Sequence, residues 1–141
     1  MYLLDTNVIS EGMRPDPEVR VLNWLAATNP EVVFLSVIVK AELLFGIEIL
    51  EHAKRRTYYA NYVRDFFGRC PDSNVLDFRS AEAALFATIV TRRRSIGRPM
   101  MEMDALIAAT AVARGLTVVT RNVRDFEDCG VALLDPWDQS S

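Results

Sequence analysis

Apolar residues fall into two kinds of pattern along this chain. Short, mainly apolar runs occur as the triplet ahead of Asp5 and at 32–35 (VVFL), 74–78 (NVLDF), 116–120 (LTVVT) and 131–135 (VALLD). Between them lie longer stretches in which apolar residues recur every three or four positions. Runs of this length suit strands buried on both faces, and the longer period suits helices that cover them. The first such helix is predicted with Asp16 as N-cap and Pro17 at its first position, with Val21, Leu22, Leu25 and Ala26 as its stripe, stopping at Asn29-Pro30. Ser36 is predicted to cap a helix over 37–50 with Val39, Leu43, Gly46 and Leu50 on one face, and 54–67 forms another carrying Tyr58, Tyr62 and Phe66 at spacings of four. Ser80 is predicted to cap a helix running to Arg94, and Gly97-Arg98-Pro99 breaks the chain. The last helix, 102–115, is rich in small residues and closed by Gly115. Strands alternating with helices predict an α/β fold, three layers α/β/α around a mostly parallel sheet of about five short strands. No linker, repeat or low-complexity stretch divides it, so one domain over 1–141 is expected.

Composition narrows the class. Half of the 141 residues are hydrophobic, with 6 Gly and 6 Pro, which suits a compact domain with a real core. No run approaches a membrane span, and the N-terminus lacks the pattern of a signal peptide, so a cytoplasmic protein is expected. Cys70 and Cys129 are separated from each other and from His52, which offers neither a disulfide framework nor a zinc spacing. The net charge of -3 does not suggest a surface built wholly for nucleic acid, yet the basic residues are 14 Arg and 2 Lys. They cluster at Lys54-Arg55-Arg56, at Arg92-Arg93-Arg94 with Arg98, and at Arg121 and Arg124. The first two clusters can be solvated helix faces; arginine is also the side chain suited to bidentate phosphate contact.

The acids carry the candidate chemistry. In open parallel sheets, ligands bind outside the carboxyl ends of the strands. Asp5 follows the first strand, and Asn122 and Asp125 follow the strand 116–120. Asp104 shares a helix face with Ala108, Ala111 and Gly115, and Glu42 borders the stripe of Val39 and Leu43. Each has a purely structural reading: Asp5 as turn residue or N-cap, Asp104 complementing its helix dipole, Glu42 reaching to solvent, Asp125 capping a short helix. Together they would repel at one sheet edge unless a cation intervenes. Oxygen donors without His or Cys fit a hard cation, Mg²⁺ or Mn²⁺. Arg121 and Arg124, beside these acids, are candidates to steer a phosphate. Glu102, near Asp104, is a spare acid that suits its helix N-terminus.

Four segments in order, LLDTNVIS, LSVIVKAELLFGI, MDALIAATAVARG and TVVTRNVRDF, followed by a terminal strand and DPW, resemble PIN-domain ribonuclease toxins of the VapC type, close to the FitB-like branch. The resemblance spans nearly the whole chain. It implies a Mg²⁺- or Mn²⁺-dependent endoribonuclease acting on RNA, with Asp5, Glu42 and Asp104 as metal ligands. A fourth position that is Asp in many members is Asn122 here, so either Asn122 or Asp125 completes the site. Thr6, Ser36 and Thr120 match small hydroxyl positions that line such sites, and equally fit helix caps and strand ends. The resemblance further implies a homodimer and a cognate antitoxin protein with a DNA-binding domain. The antitoxin is expected to lie along a groove beside the helix of Glu42 and the aromatic helix, placing an arginine among the acids. The competing readings are a catalytically inactive PIN scaffold, a phosphatase of the haloacid-dehalogenase type, and a response-regulator receiver using Asp5. The phosphatase needs D-x-D where this chain has Asn7, and the receiver needs an acceptor Asp that LSVIV does not supply.

Overall fold

The structure is a computed structural model, and residues 1–138 are described. Its centre is a five-stranded sheet in the order β3-β2-β1-β4-β5. The strands are β1 (Tyr2–Leu4), β2 (Val33–Ser36), β3 (Val75–Leu76), β4 (Thr117–Val119) and β5 (Leu133–Leu134). Every neighbouring pair is parallel, with Leu3 opposite both Phe34 and Val118. Leu3, Leu4, Leu35, Val118 and Val119 are completely buried, which is why these strands read as mainly apolar runs rather than alternating ones.

Six α-helices among the described residues connect and flank the strands: α1 (Thr6–Glu11), α2 (Val19–Ala27), α3 (Val37–Glu48), α4 (Ala53–Gly68), α5 (Ser80–Ser95) and α6 (Glu102–Arg114). The chain steps outward from β1 to β2 to β3, then returns through α5 and α6 to β4 on the other side of β1. Parallel strands joined by right-handed crossovers, the usual hand, in opposite directions from β1 place helices on both faces, the expected three layers. The reversal puts the switch point of the sheet between β1 and β4. The end of the expected single domain, 139–141, lies outside the described residues.

Several expected boundaries move, for local reasons. α2 is capped by Glu18 rather than Asp16: the buried Glu11 carboxylate accepts from the Glu18 backbone N–H at 3.1 Å, and Glu18 accepts from the Arg20 N–H at 3.2 Å. That pull holds Pro17 outside the helix. Ser80 is the first residue of α5, not its cap; Arg79 is the cap, and its N–H is taken by the buried Glu82 at 3.1 Å. The third strand is cut to Val75–Leu76 because Asn74 folds inward and donates to the carbonyls of Glu31 and Val33. On α3 the buried face is Val39, Leu43 and Ile47, while Gly46 is exposed and Leu50 lies past the helix end. On α4, Tyr62 and Phe66 pack inward with Val63 and Tyr59, and Tyr58 turns out, 59% exposed. Gly115 closes α6 at φ 64°, ψ 37°, the left-handed conformation that glycine adopts without Cβ strain.

Candidate active site

Asp5 stands where β1 ends and α1 begins. Its N–H still belongs to the sheet, donating to the Val119 carbonyl at 2.9 Å, while its carboxylate turns to cap α1 by accepting from the Thr6 N–H at 2.8 Å. The other carboxylate oxygen accepts from the Thr120 hydroxyl at 2.8 Å and, more distantly, from Asn7 Nδ2 at 3.4 Å. Thr120 follows β4 directly, so this contact bridges the switch point. Its hydroxyl oxygen also accepts from the Asn122 N–H at 3.0 Å, which orients the turn leading to Asp125. Asp5 is 6% exposed and Thr120 fully buried.

Asp104 enters from the first turn of α6 and Glu42 from the middle of α3, two helices that touch each other. Both are partly buried. Asp125 arrives on a short 3-10 turn, Val123–Phe126, anchored by the buried ring of Phe126. The charges of these acids meet at Asp104. Burial raises the Asp104 pKa to about 6, reinforced by the charges of Asp5, Asp125 and Glu42. Glu42 is raised first by burial and then by the Asp5 charge. Asp5 is raised by burial and by Asp125, against the downward pull of its bonds to Thr120 and Thr6. Clustered, half-desolvated carboxylates of this kind favour any cation that joins them.

The donor set is oxygen throughout, which suits a hard divalent cation. Thr6 Oγ1 is buried and makes no full hydrogen bond, although it favours the ionised form of Glu42. Among the described residues, no three His, Cys, Asp or Glu side chains close into a ready-made ligand cage. The carboxylates thus interact through their charges without being gathered at one point. Their residue types and mutual repulsion fit a divalent cation; a tight preformed cage is not what holds them.

The remaining sequence candidates separate. The Ser36 hydroxyl accepts from the Ile38 N–H at 3.0 Å and is buried as the cap of α3. The Asn122 side chain is exposed, and its backbone N–H makes the contact to Thr120. Asp125 is the residue whose charge reaches both Asp5 and Asp104. Arg121 sits over the Trp137 ring, 5.5 Å from its centroid, and its N–H faces Asn7 Oδ1 at 3.4 Å. Arg124 is exposed at the rim, its carbonyl accepting from Arg98 at 3.3 Å. His52 is exposed at the start of α4.

Sequence reasoning missed Arg93. Arg92 and Arg94 are exposed, as on a solvated face, but Arg93 between them is 4% exposed and donates to the carbonyls of Arg98 at 2.6 Å, Asp125 at 3.0 Å and Glu127 at 2.7 Å. Arg98 is itself committed to Glu127 and Asp128. The only sequence signal was the phase of Arg93, four positions after the buried Ile89 on α5.

Comparison with known proteins gives the family of the fold. The chain is 36% identical over 138 residues to a protein of Sinorhizobium fredii named VapC ribonuclease Y4jK, covering 98% of this chain and 99% of that one. It is 37% identical over 137 residues to Toxin FitB of Neisseria gonorrhoeae, covering 97% of this chain and 99% of the relative. A solved structure of FitAB bound to an IR36 DNA fragment superposes with a TM-score of 0.93 at 35% identity, over 100% of this chain and 99% of that chain. The family model for the PIN domain matches residues 2–131, and with it the strand-end acids Asp5 and Asp125 and the helix acids Glu42 and Asp104 fall within one matched region. The chain belongs to the PIN-domain family.

Proposed function

We propose that this protein is a ribonuclease toxin that hydrolyses RNA phosphodiester bonds with a divalent cation, Mg²⁺ or Mn²⁺, at Asp5, Glu42 and Asp104. The observation that carries this reading is that the charges of Asp5, Asp125 and Glu42 all bear on Asp104 beside the switch point between β1 and β4. The ribonuclease and toxin names of the relatives support it. A bound cation supplies a hydroxide-like water at neutral pH and neutralises charge developing on the phosphate. The chain's own contribution is to orient the acids at one edge, where their raised proton affinity leaves a cation to favour their ionised form. Thr120 and the Thr6 N–H fix the Asp5 carboxylate, and Asp125 completes the charge in place of the Asp absent at Asn122. Arg124 at the rim is placed to draw the RNA backbone toward this negative edge. The whole chain acts as a single PIN domain.

Control by an antitoxin with a DNA-binding domain follows from the same kinship, since FitAB has been captured on DNA. An apolar cleft of about 320 Å³ between α2 and α4 suits its docking segment, with Leu22, Leu25, Tyr62 and Phe66 in its walls. The cleft lies beside the aromatic helix, with α2 rather than the helix of Glu42 as its opposite wall. An arginine carried past it by the antitoxin would pair with the acids much as a cation does. The proposed site of action is cytoplasmic RNA, with the toxin a homodimer; no helix among the described residues is long and apolar enough to cross a membrane.

The test is incubation of total RNA with the purified protein. Cleavage should appear with Mg²⁺ or Mn²⁺, disappear in excess EDTA and disappear on adding the antitoxin encoded beside it. Cleavage that persists in EDTA would sink the metal mechanism.

A further inference from the structure

The acids occupy one side of the Thr120 turn, and a second feature occupies the other. Arg121, next in the chain after the hydroxyl that bonds Asp5, is exposed, and its guanidinium lies over the indole of Trp137, itself only 9% exposed. The two line a shallow cavity of about 310 Å³ that runs along the far end of α1, walled also by Glu11, Arg14, Asp16 and Glu18. α1 spans six residues, so this cavity lies about 9 Å along the helix axis from the residue that caps it, Asp5. Trp137 Nε1 is buried, with no hydrogen-bond partner among the described residues.

The charges in this cavity decide what it can take. Three carboxylates, Glu11, Asp16 and Glu18, face two arginines. Arg14 is spent on Glu11 at 3.0 Å, and Glu18 is spent on Arg20 at 2.9 Å. What remains is Arg121 and the exposed carboxylate of Asp16. A phosphate drawn to Arg121 would also meet the carboxylate of Asp16, unpaired among the described residues. A neutral, flat group carrying N–H donors meets a guanidinium plane to stack on and a carboxylate that accepts from an amino group.

We propose that Arg121, held over Trp137, is the stacking platform for a nucleobase flanking the scissile phosphate, and that Asp16 selects bases with an exocyclic amino group over uracil. This rests on the ribonuclease reading above and gives its substrate a specificity pocket. Arg121 then acts through its planar face, not through its charge alone, which separates this role from phosphate steering. Lysine keeps the charge and loses the plane.

The experiment maps cut sites by sequencing RNA ends after Mn²⁺-dependent cleavage of total RNA. It then measures kcat and KM on oligonucleotides that vary only the bases flanking one mapped cut, for wild type, Arg121→Lys, Arg121→Ala, Asp16→Asn and Trp137→Phe. Wild type should disfavour uracil at one flanking position. Arg121→Ala and Arg121→Lys should both flatten that preference and raise KM about tenfold, with the loss in KM rather than kcat; Asp16→Asn should admit uracil. Trp137→Phe keeps a ring under the guanidinium and should keep the preference. Arg121→Lys behaving like wild type would assign Arg121 to phosphate and overturn the proposal. So would an unchanged base profile in Arg121→Ala, including the case where that variant loses only antitoxin affinity. Failure of wild type to cleave at all would remove the ribonuclease reading itself, a different result from cleavage with an unaltered profile.

Discussion

Asp5 does two jobs with one carboxylate: it caps α1 through Thr6 and presents its second oxygen to Thr120 across the switch point. A structural reading and a functional one therefore do not compete at this position, since the bonds that fix the carboxylate also aim it. Thr120→Val should remove the hydroxyl that serves Asp5, Asn7 and Asn122 together. A buried carboxylate left short of a donor costs about 1–3 kcal/mol. Chemical denaturation should show a loss in that range, and Mn²⁺ binding should weaken with it. Asp104 gives a pH signature. Its folded pKa, near 6, lies above the ordinary value of 3.8, so the folded state binds the proton more tightly than the unfolded chain. Stability of the metal-free protein should accordingly fall as pH rises from about 4 to about 6, the reverse of an ion-paired carboxylate. Melting curves at pH 5 and pH 7 test this, and Asp104→Asn should flatten the difference and raise the melting point at pH 7. Mn²⁺ affinity should fall below pH 6, because the cation must displace that proton. The acids were legible in the sequence because strand ends and helix faces can be counted. Thr6 and Ser36 were ambiguous because a hydroxyl at a strand end caps and lines a site in the same place.

The elements differ in how far their sequence announced them. α6 was legible almost to the residue, since its run of small residues and Gly115 leave little choice of face or end. α1 was not foreseen: six residues are too few to show a helical period, and it exists because Asp5 caps it and Val8 and Ile9 are buried. The start of α2 was misplaced because its cap depends on Glu11, seven residues earlier, a contact that no local pattern encodes. Arg93 is the clearest case. It ties α5 to the connector before α6 and to the turn that carries Asp125, using carbonyls 5, 32 and 34 residues away. Arg93→Met should leave those carbonyls without their charged donor and cost at least about 2 kcal/mol. Arg93→Lys, able to reach only part of the fork, should lose less. Hydrogen exchange should report the damage: protection should fall in 122–129 of Arg93→Met while β1 and β2 keep theirs.

At the scale of the molecule, the alternation of strand and helix decided the fold, and the all-parallel order follows from strands too apolar to face water. The order of the strands was beyond the sequence, because it depends on the return of the chain past β2 and β1 after β3. That return creates the switch point and brings Asp5, Thr120 and Asp125, distant in sequence, to one edge. The fold is therefore assembled at the expense of repulsion among its acids. A cation that binds only the assembled edge should stabilise the whole chain by mass action. Millimolar Mn²⁺ should raise the melting temperature of wild type, and the rise should largely vanish in Asp104→Asn; equal response in both would mean that the acids do not form one site.

The central claim is that these acids form one cation-dependent centre for RNA hydrolysis. Single-turnover cleavage of a defined RNA by wild type and by Asp104→Asn, at the same Mn²⁺ concentration and with enzyme in excess, tests it most directly. The rate constant should fall by at least about a thousandfold in the variant, in line with loss of a principal electrostatic contributor, while its circular dichroism stays that of wild type. A variant that folds normally and cleaves within tenfold of wild type would contradict the account.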